Sequence, residues 1–532
     1  MSAHNRIKKL LIANRGEIAR RINRAAKELG IETVLVVSDP DKGSLAASEV
    51  NEVFELGGST ARESYLNQGK ILEAARRTGC DAVHPGYGFL SEDGDFAEAV
   101  ITAGLTFVGP SPKSIRALGV KTAARDAVSR AGVPITPGSD GGKSDGELEQ
   151  AAEVIGYPVI IKAAAGGGGR GMRIVHQRSE MRENLERARA EALKNFGSEA
   201  VYIEKFIVEP RHVEVQLFGD THGNIVHFGT RDCSAQRRHQ KLFEEAPAPF
   251  LDPETREKIH LAAVRAAQSV GYYNAGTAEF LVRGKEFYFL EINTRIQVEH
   301  PVTELITGVD LVQLQLKVAM GEPLPMKQEE ISFSGHAVEL RINAEEVLEG
   351  FRPAVGTIEE WSRSSDVIVR EECGYRAGDT IPPFYDSLMS KVIVGGGSRA
   401  EALFKAFQFL KGYSVTGVPT TIPFHAWLLA NMRFQTEGID IGYVERSFAR
   451  DDAERALAML HPDANFKGAG FVEEVSLTTS NGAPVTAQVV HEEGGTFLVK
   501  PLGADGLPRD PSLWRRGSSR RDATEAVESL LT

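Results

Sequence analysis

The 532-residue sequence predicts a multidomain chain of α/β and α+β class that opens with a parallel α/β domain. Three observations carry this. Over the first 118 residues short apolar runs alternate with amphipathic helical stretches. A glycine-rich loop then joins two strand-like segments, and strand-rich stretches dominate from about residue 206. Domains of roughly 100–200 residues imply three or four units in a chain of this length.

In the opening unit, residues 9–13, 33–37, 82–84 and 106–108 read as strands, with helices over 16–29 and 67–77. Strands separated by helices at this spacing build an open parallel sheet covered on both faces. The first strand-to-helix turn, Ala13-Asn14-Arg15-Gly16-Glu17-Ile18-Ala19, lacks the Gly-x-Gly-x-x-Gly fingerprint, so it is not a nicotinamide-dinucleotide site. A helix over 114–131 leads through the polar stretch 137–145 into a second unit with strands over 158–162 and 172–175, a helix over 181–194 and a strand over 200–204. Two strands joined by a flexible glycine loop form a small mobile lid.

Strands over 212–219 and 286–292 belong to a third unit, and a mixed region runs on to about 450. The last stretch changes character: strands over 471–477, 485–491 and 496–500 alternate around Asn481-Gly482 and Gly494-Gly495, before a charged helical end. The expected division is therefore 1–118, 119–205, 206–330, 331–450 and a β-rich extension, 451–532.

Composition narrows the function classes. With 42% hydrophobic and 25% charged residues the chain is globular in type. A net charge of -12 leaves no basic footprint for general nucleic-acid binding. The three cysteines, Cys80, Cys233 and Cys373, have no Cys-x-x-Cys spacing, which excludes a disulfide framework and a cysteine zinc site and fits a reducing compartment. No apolar run of about 18 residues occurs, and the N-terminus passes straight from basic residues into a strand. A soluble, cytoplasmic protein with no membrane and no nucleic-acid partner is expected.

The chemistry concentrates in a few stretches. Lys162 precedes a run containing Gly166, Gly167, Gly168 and Gly169, followed by Arg170-Gly171-Met172. Glycines let backbone N–H groups approach an anion closely, as clamping of nucleotide phosphates requires. This is not the Walker pattern, so a different ATP-binding fold is needed. Downstream, Glu279 and Glu291 sit among alternating apolar neighbours on strands. Inward carboxylates are costly unless paired or bound to a cation, and hard oxygen ligands suit magnesium beside phosphates. Taken singly each is an ordinary ion-pair candidate; the glycine loop favours the metal reading. Donors crowd residues 231–241, and alternation in 293–301 places Arg295, Gln297 and Glu299 on one face of an extended strand. A cation, an amide and a carboxylate so grouped bind a small oxyanion and move a proton.

These motifs together resemble the biotin carboxylase family of the ATP-grasp superfamily. The resemblance runs from about residue 7 to 447 through IANRGEIA, HPGYGFLSE, GYPVIIKAAAGGGGRGM, RDCSAQRRHQK, EEAPAP, NTRIQVEHPVTE, ITGVDLV and RINAE. It implies ATP-grasp central domains with a glycine-rich lid and a C-terminal biotin carboxylase domain. It implies ATP contacts at Lys121, Lys162, the four lid glycines, His212, Gln236 and His239, with Glu204 at the adenine site and Met172 and Leu281 packing nearby. Mg2+ or Mn2+ would be held by Glu279, Glu291 and Asn293.

Bicarbonate would meet Lys241, Arg295, Gln297 and Val298, with Glu299 as general base, and biotin would meet Tyr87 and Arg341. The implied reaction runs through carboxyphosphate, with Arg341 stabilising the biotin enolate. Two positions depart from the family pattern: Val120, where a polar residue is common, and Ala165, where some members have glycine.

The biotin-accepting Ala-Met-Lys-Met motif of this family is absent from the sequence. The resemblance therefore implies a subunit of a multisubunit acyl-CoA or pyruvate carboxylase, partnered by a biotin carboxyl carrier protein and a carboxyltransferase. It also implies a homodimer with contacts around Arg21, Arg24, Glu28 and Arg370. The extension is expected to dock a partner. Two further readings remain open, a different ATP-grasp carboxylate–amine ligase, which dependence of turnover on biotin separates from a biotin carboxylase, and a non-catalytic ATP-binding assembly subunit, against which the intact Lys241, Glu279, Glu291, Arg295, Glu299 and Arg341 argue.

Overall fold

A computed structural model describes residues 6–139, 141–164, 172–363 and 367–460, together with the backbone of the strands Val472–Thr478, Pro484–Glu492, Thr496–Pro501 and Arg515–Gly517. The first unit is a five-stranded, wholly parallel sheet. In spatial order its strands are Glu52–Glu55, Glu32–Val37, Lys9–Ile12, Ala82–His84 and Thr106–Phe107. Strand Glu52–Glu55 escaped the sequence reading because it lies at the sheet edge with three exposed residues, leaving no apolar run to detect.

The order reverses between Lys9–Ile12 and Ala82–His84, which opens a crevice at their C-terminal ends. Asn14 bridges it: its Nδ2 donates to the carbonyls of Pro85 at 2.6 Å and Tyr87 at 2.8 Å. Gly86 has φ 64°, and a Cβ there would lie 2.8 Å from Asn14 Nδ2, so glycine is required for this close approach.

The helix expected over 114–131 is two helices, Pro112–Gly119 and Lys121–Arg130. Val120 breaks it with extended dihedrals (φ -91°, ψ 101°) and serves as the N-cap of the second helix without any side-chain capping bond. A polar residue would supply that bond, which gives the departure at this position a structural meaning.

The lid unit is a three-stranded antiparallel sheet, Arg173–Val175, Val159–Ala163 and Val201–Lys205 in spatial order. Helices Asp145–Ile155 and Met181–Phe196 pack on it through Leu148, Ala152, Leu185 and Ala188.

An eight-stranded antiparallel sheet carries the rest. Its order is Glu286–Asn293, Asn274–Arg283, Arg211–Gly219, Ile225–Arg237, Gln240–Ala246, His336–Asn343, Leu388–Gly396 and Arg370–Cys373. Hydrogen bonding thus runs unbroken from strands before residue 330 to strands after it. Ile12, Ala19 and Ile22 of the first unit share one apolar cluster with Phe218, Phe228, Ile296 and Leu311, so the parallel unit is packed directly onto the large sheet.

Helix Arg450–Leu460 buries Ala453, Ala456 and Leu460 in the same core as Phe407, Phe424 and Phe434. The packed C-terminal domain therefore extends to residue 460, a correction to the boundary expected at 450. Beyond it, Val472–Thr478, Pro484–Glu492, Thr496–Pro501 and Arg515–Gly517 pair antiparallel as a four-stranded meander, one strand more than the sequence suggested. The expected helical end lies outside the described residues. Among the described residues no helix is long and apolar enough to cross a membrane.

Candidate active site

Register builds the site. Glu291 faces Glu279, Glu279 faces Glu214 and Glu214 faces Arg231, so four neighbouring strands deliver a row of three carboxylates ended by a guanidinium. Arg231 is fully buried and saturated: its Nε donates to Glu214 at 2.5 Å, Nη1 to Gln216 at 2.7 Å and Thr303 at 2.9 Å, and Nη2 to Gln297 at 2.8 Å and Thr277 at 3.3 Å. A guanidinium whose donors are all used can remain charged inside the protein.

Lys241 sits at the centre. Its Nζ lies 2.6 Å from Glu214 Oε2, 2.9 Å from Glu279 Oε1 and 2.6 Å from Glu299 Oε1. Burial acts to discharge this amine, and the surrounding carboxylates overcome it, holding its pKa above the usual lysine value. Glu279 also accepts from Asn293 Nδ2 at 2.8 Å and Gln297 Nε2 at 2.9 Å, and His212 Nε2 lies 3.1 Å away. Gln236 Nε2 stands 3.1 Å from the other nitrogen of that histidine.

Glu299 is 1% exposed and lies between two cations. Its Oε2 accepts from Arg341 Nη2 at 2.9 Å, while Lys241 holds Oε1. Burial pushes this carboxyl up, but Lys241, Arg341 and Arg231 outweigh it and keep it well below the usual carboxylate range. Arg341 also pairs with Glu244, which burial pushes up to about 7 against the pull of Arg341.

On the lid side, Lys162 Nζ lies 2.5 Å from Glu204 Oε2, and Arg125 Nη1 lies 2.7 Å from the other oxygen. Leu281 faces His212 across paired strands, and Met172 immediately precedes the strand that faces Ile161.

The expected grouping of Arg295, Gln297 and Glu299 on one strand face is corrected. The strand ends at Asn293, residues 294–299 turn, and Pro301 opens the helix His300–Thr307. Gln297 and Glu299 still reach the Glu279–Lys241 cluster, and Arg295 joins it through Asn293 (3.1 Å), which donates to Glu279, while its Nε donates to Glu92 (3.1 Å). His239 occupies the tip of the hairpin between Ile225–Arg237 and Gln240–Ala246, where Arg238 and His239 both have positive φ, and it is exposed. It makes no hydrogen bond or ion pair among the described residues.

Gly166, Gly167, Gly168 and Gly169 and the side chain of Lys121 lie outside the described residues. Tyr87 donates its hydroxyl to Glu17 at the sheet crevice. Around the expected dimer contacts, Arg21 is 1% exposed and bonded within the chain to Glu304 and Asp310, so it ties the helix Gly16–Glu28 to the helices His300–Thr307 and Leu311–Ala319; Arg24 pairs with Glu372 and stays half exposed.

Sequence reasoning missed Glu214, Glu244, Arg125, Glu17 and Lys391. The available signal was a charged residue inside an otherwise apolar strand, as in His212-Val213-Glu214-Val215 and Ser390-Lys391-Val392-Ile393.

A row of carboxylates and cations on a large antiparallel sheet, beside a small three-stranded sheet that carries Lys162 and Glu204, is the arrangement of an ATP-grasp protein. Residues 6–115 match the family described as biotin carboxylase, N-terminal domain, residues 120–327 the carbamoyl-phosphate synthase L chain, ATP binding domain, and residues 339–446 the biotin carboxylase C-terminal domain. Biotin carboxylase 1 of Bacillus subtilis is 49% identical over 442 residues, covering 82% of this chain and 98% of the relative. The methylcrotonoyl-CoA carboxylase subunit alpha of Arabidopsis thaliana is also 49% identical, and the match spans 60% of that relative's length.

Among solved structures, the biotin carboxylase domain dimer of Hydrogenobacter thermophilus 2-oxoglutarate carboxylase, in complex with MgADP, ADP and bicarbonate, superposes with a TM-score of 0.78 at 44% identity, covering 83% of this chain and 97% of that one. The Campylobacter jejuni biotin carboxylase–β-γ-ATP complex gives 0.79 at 42% identity, covering 83% and 99%. The chain belongs to the biotin carboxylase family of the ATP-grasp superfamily.

Proposed function

We propose that this chain carboxylates biotin held by a separate carrier protein, using ATP, a divalent cation and bicarbonate. A carboxyltransferase and a second copy of the chain are its further partners, and the final acceptor is an acyl-CoA or pyruvate. The observation that carries the reading is the position of Glu299, held at one oxygen by Lys241 and at the other by Arg341. These contacts support Glu299 as the base, between the carboxylate row and the strand bearing Arg341.

The donor set suits Mg2+ or Mn2+: Glu279 and Glu291 present hard oxygens from facing positions on adjacent strands, with the Asn293 amide bonded to Glu279. When bound there, the ion would offset charge on the transferring phosphoryl group. Lys162 and His212 contribute positive charge or donors on the nucleotide side, and Glu204, with both oxygens engaged, fixes Lys162.

Lys241, Gln297, Arg295 and the Val298 backbone form the bicarbonate site. Glu299 is ionised and so able to accept the bicarbonate proton. That transfer becomes favourable as the attacking oxygen bonds to phosphorus, because its O–H acidifies as its electron density is drawn away. ADP leaves, and carboxyphosphate breaks down to CO2 and phosphate. Phosphate takes the N1′ proton of biotin, and Arg341 stands as a fixed cation beside the developing enolate oxygen, with Tyr87 on the biotin side. The meander beyond residue 471 is assigned the partner-docking role.

The test is bicarbonate-dependent ADP release by the purified chain with Mg2+, with and without free biotin. A clear rise with biotin and formation of carboxybiotin are expected. ADP release that ignores biotin even after a biotinylated carrier domain is added would favour a different ligase.

A further inference from the structure

One buried cation has no part in the mechanism above. Lys391 lies mid-strand in Leu388–Gly396 and is 0% exposed, directly facing Arg341 on the neighbouring strand. Its Nζ donates to the Val298 carbonyl at 2.7 Å and lies 3.0 Å from Glu17 Oε1. Glu17 stands in the first turn of helix Gly16–Glu28, is 4% exposed, and accepts the Tyr87 hydroxyl on that same oxygen. Three separate parts of the chain thus meet at one ammonium: the crevice of the parallel sheet, the turn carrying Val298 and Glu299, and the strand beside Arg341.

A buried ion pair is weak evidence for stability, since well-packed apolar side chains of similar volume usually do as well. It does fix geometry. An ammonium with a backbone carbonyl and a carboxylate as partners holds both at hydrogen-bond distance, and the carboxylate in turn orients the phenol.

We propose that Lys391 is a positioning residue for biotin carboxylation, setting the Val298 carbonyl directly and the Tyr87 hydroxyl through Glu17, so that the bicarbonate and biotin contacts are aligned by one group. The inference rests on the roles assigned above to Val298 and Tyr87. It assigns Glu17 a share in the same task.

The test compares wild type, Lys391→Met, Glu17→Gln, Tyr87→Phe and the Lys391→Met/Tyr87→Phe double variant in the full chain, using free biotin. Lys391→Met is expected to raise the KM for both biotin and bicarbonate about tenfold while leaving the KM for ATP within about twofold, a split that general loosening of the fold does not produce. Because Lys391 acts on biotin through Tyr87, the double variant is expected to show a biotin KM within about twofold of Lys391→Met alone, since coupled residues are non-additive. Equal rises in all three KM values, or a double-variant effect equal to the product of the single effects, would overturn the proposal. If Lys391→Met does not fold, Glu17→Gln decides, with an unchanged KM for biotin overturning it. A wild-type chain that carboxylates no biotin would instead remove the functional reading on which the inference stands.

Discussion

Arg341 Nη2 lies 2.9 Å from Glu299 Oε2, and through this contact the cluster around Lys241 becomes continuous with the strand His336–Asn343. Substituting Glu299→Gln keeps the shape of the side chain but removes a charge shared by Lys241 and Arg341. The rate of bicarbonate-dependent ADP release is expected to fall about 10²–10⁴-fold, the usual loss when a positioned base is removed, with little change in the KM for ATP. Steady-state kinetics with carboxybiotin detection checks it. A fall of less than threefold would mean that Glu299 does not accept the proton.

The pH dependence of stability follows from Glu244 and Glu339, which face each other on adjacent strands. Burial pushes Glu244 up to about 7 and raises Glu339 well above the ordinary carboxylate value. Arg341, Glu299 and Lys241 surround Glu244, and Lys391, Glu244, Arg341 and Glu299 surround Glu339. A folded-state pKa above the unfolded one means that the folded chain holds the extra proton. The corresponding stability is present below the unfolded value and declines as pH rises toward the folded value. Wild type is therefore expected to lose stability as pH rises from about 4.5, through Glu244 up to about 7 and through Glu339 in the same direction, and Glu339→Gln, a neutral mimic, to show a shallower decline. Melting temperatures across that range measure it; identical slopes would refute the assignment.

On the lid side, Glu204 has a second cation in Arg125, 2.7 Å from its Oε1. Lys162→Met therefore leaves the buried carboxylate paired, and the fold is expected to persist. The KM for ATP should rise at least tenfold, because the substitution removes a charge from the phosphate side. Circular dichroism alongside ATP titration separates the two effects; loss of fold would show that Lys162, not Arg125, carries Glu204.

The parallel unit was legible because its inner strands are continuous apolar runs, and the glycine loop, Glu279 and Glu291 stood out by residue type. What the sequence hid depends on tertiary partners. Residues 294–299 alternate like a strand, yet the helix His300–Thr307 begins directly after them and they form a turn, so Gln297 reaches Glu279 directly while Arg295 reaches it only through Asn293. Lys391 and Glu17 lie far apart in the sequence, and no local pattern announces that the two pair. Periodicity also fused two helices across Val120, since an exposed valine leaves the amphipathic pattern intact while its backbone leaves the helix.

Val120 gives the next prediction. It is 56% exposed and caps helix Lys121–Arg130 without a side-chain acceptor. Val120→Ser supplies a hydroxyl oxygen for a first-turn N–H, worth about 1 kcal/mol at a helix N-terminus. Slower amide exchange in the first turn of that helix is expected, and unchanged exchange would show that the extended backbone at 120 places the hydroxyl out of reach.

The extension is tested by cutting in two places. Removal of residues after 460 spares helix Arg450–Leu460, whose Ala453, Ala456 and Leu460 are buried against the C-terminal core. That truncated chain is expected to keep wild-type carboxylation of free biotin and to lose assembly with carrier and carboxyltransferase subunits. Removal after 449 also strips the helix from its apolar seat. Burying a leucine side chain contributes about 1.5–3 kcal/mol, and the two alanines add less, so this shorter chain is expected to melt several degrees lower and to expose apolar surface. Differential scanning calorimetry and size-exclusion chromatography with purified partners distinguish the two cuts. Equal melting temperatures would mean that the helix contributes nothing to the core, and full assembly after the cut at 460 would remove the docking role from the meander and place partner recognition on the catalytic body itself.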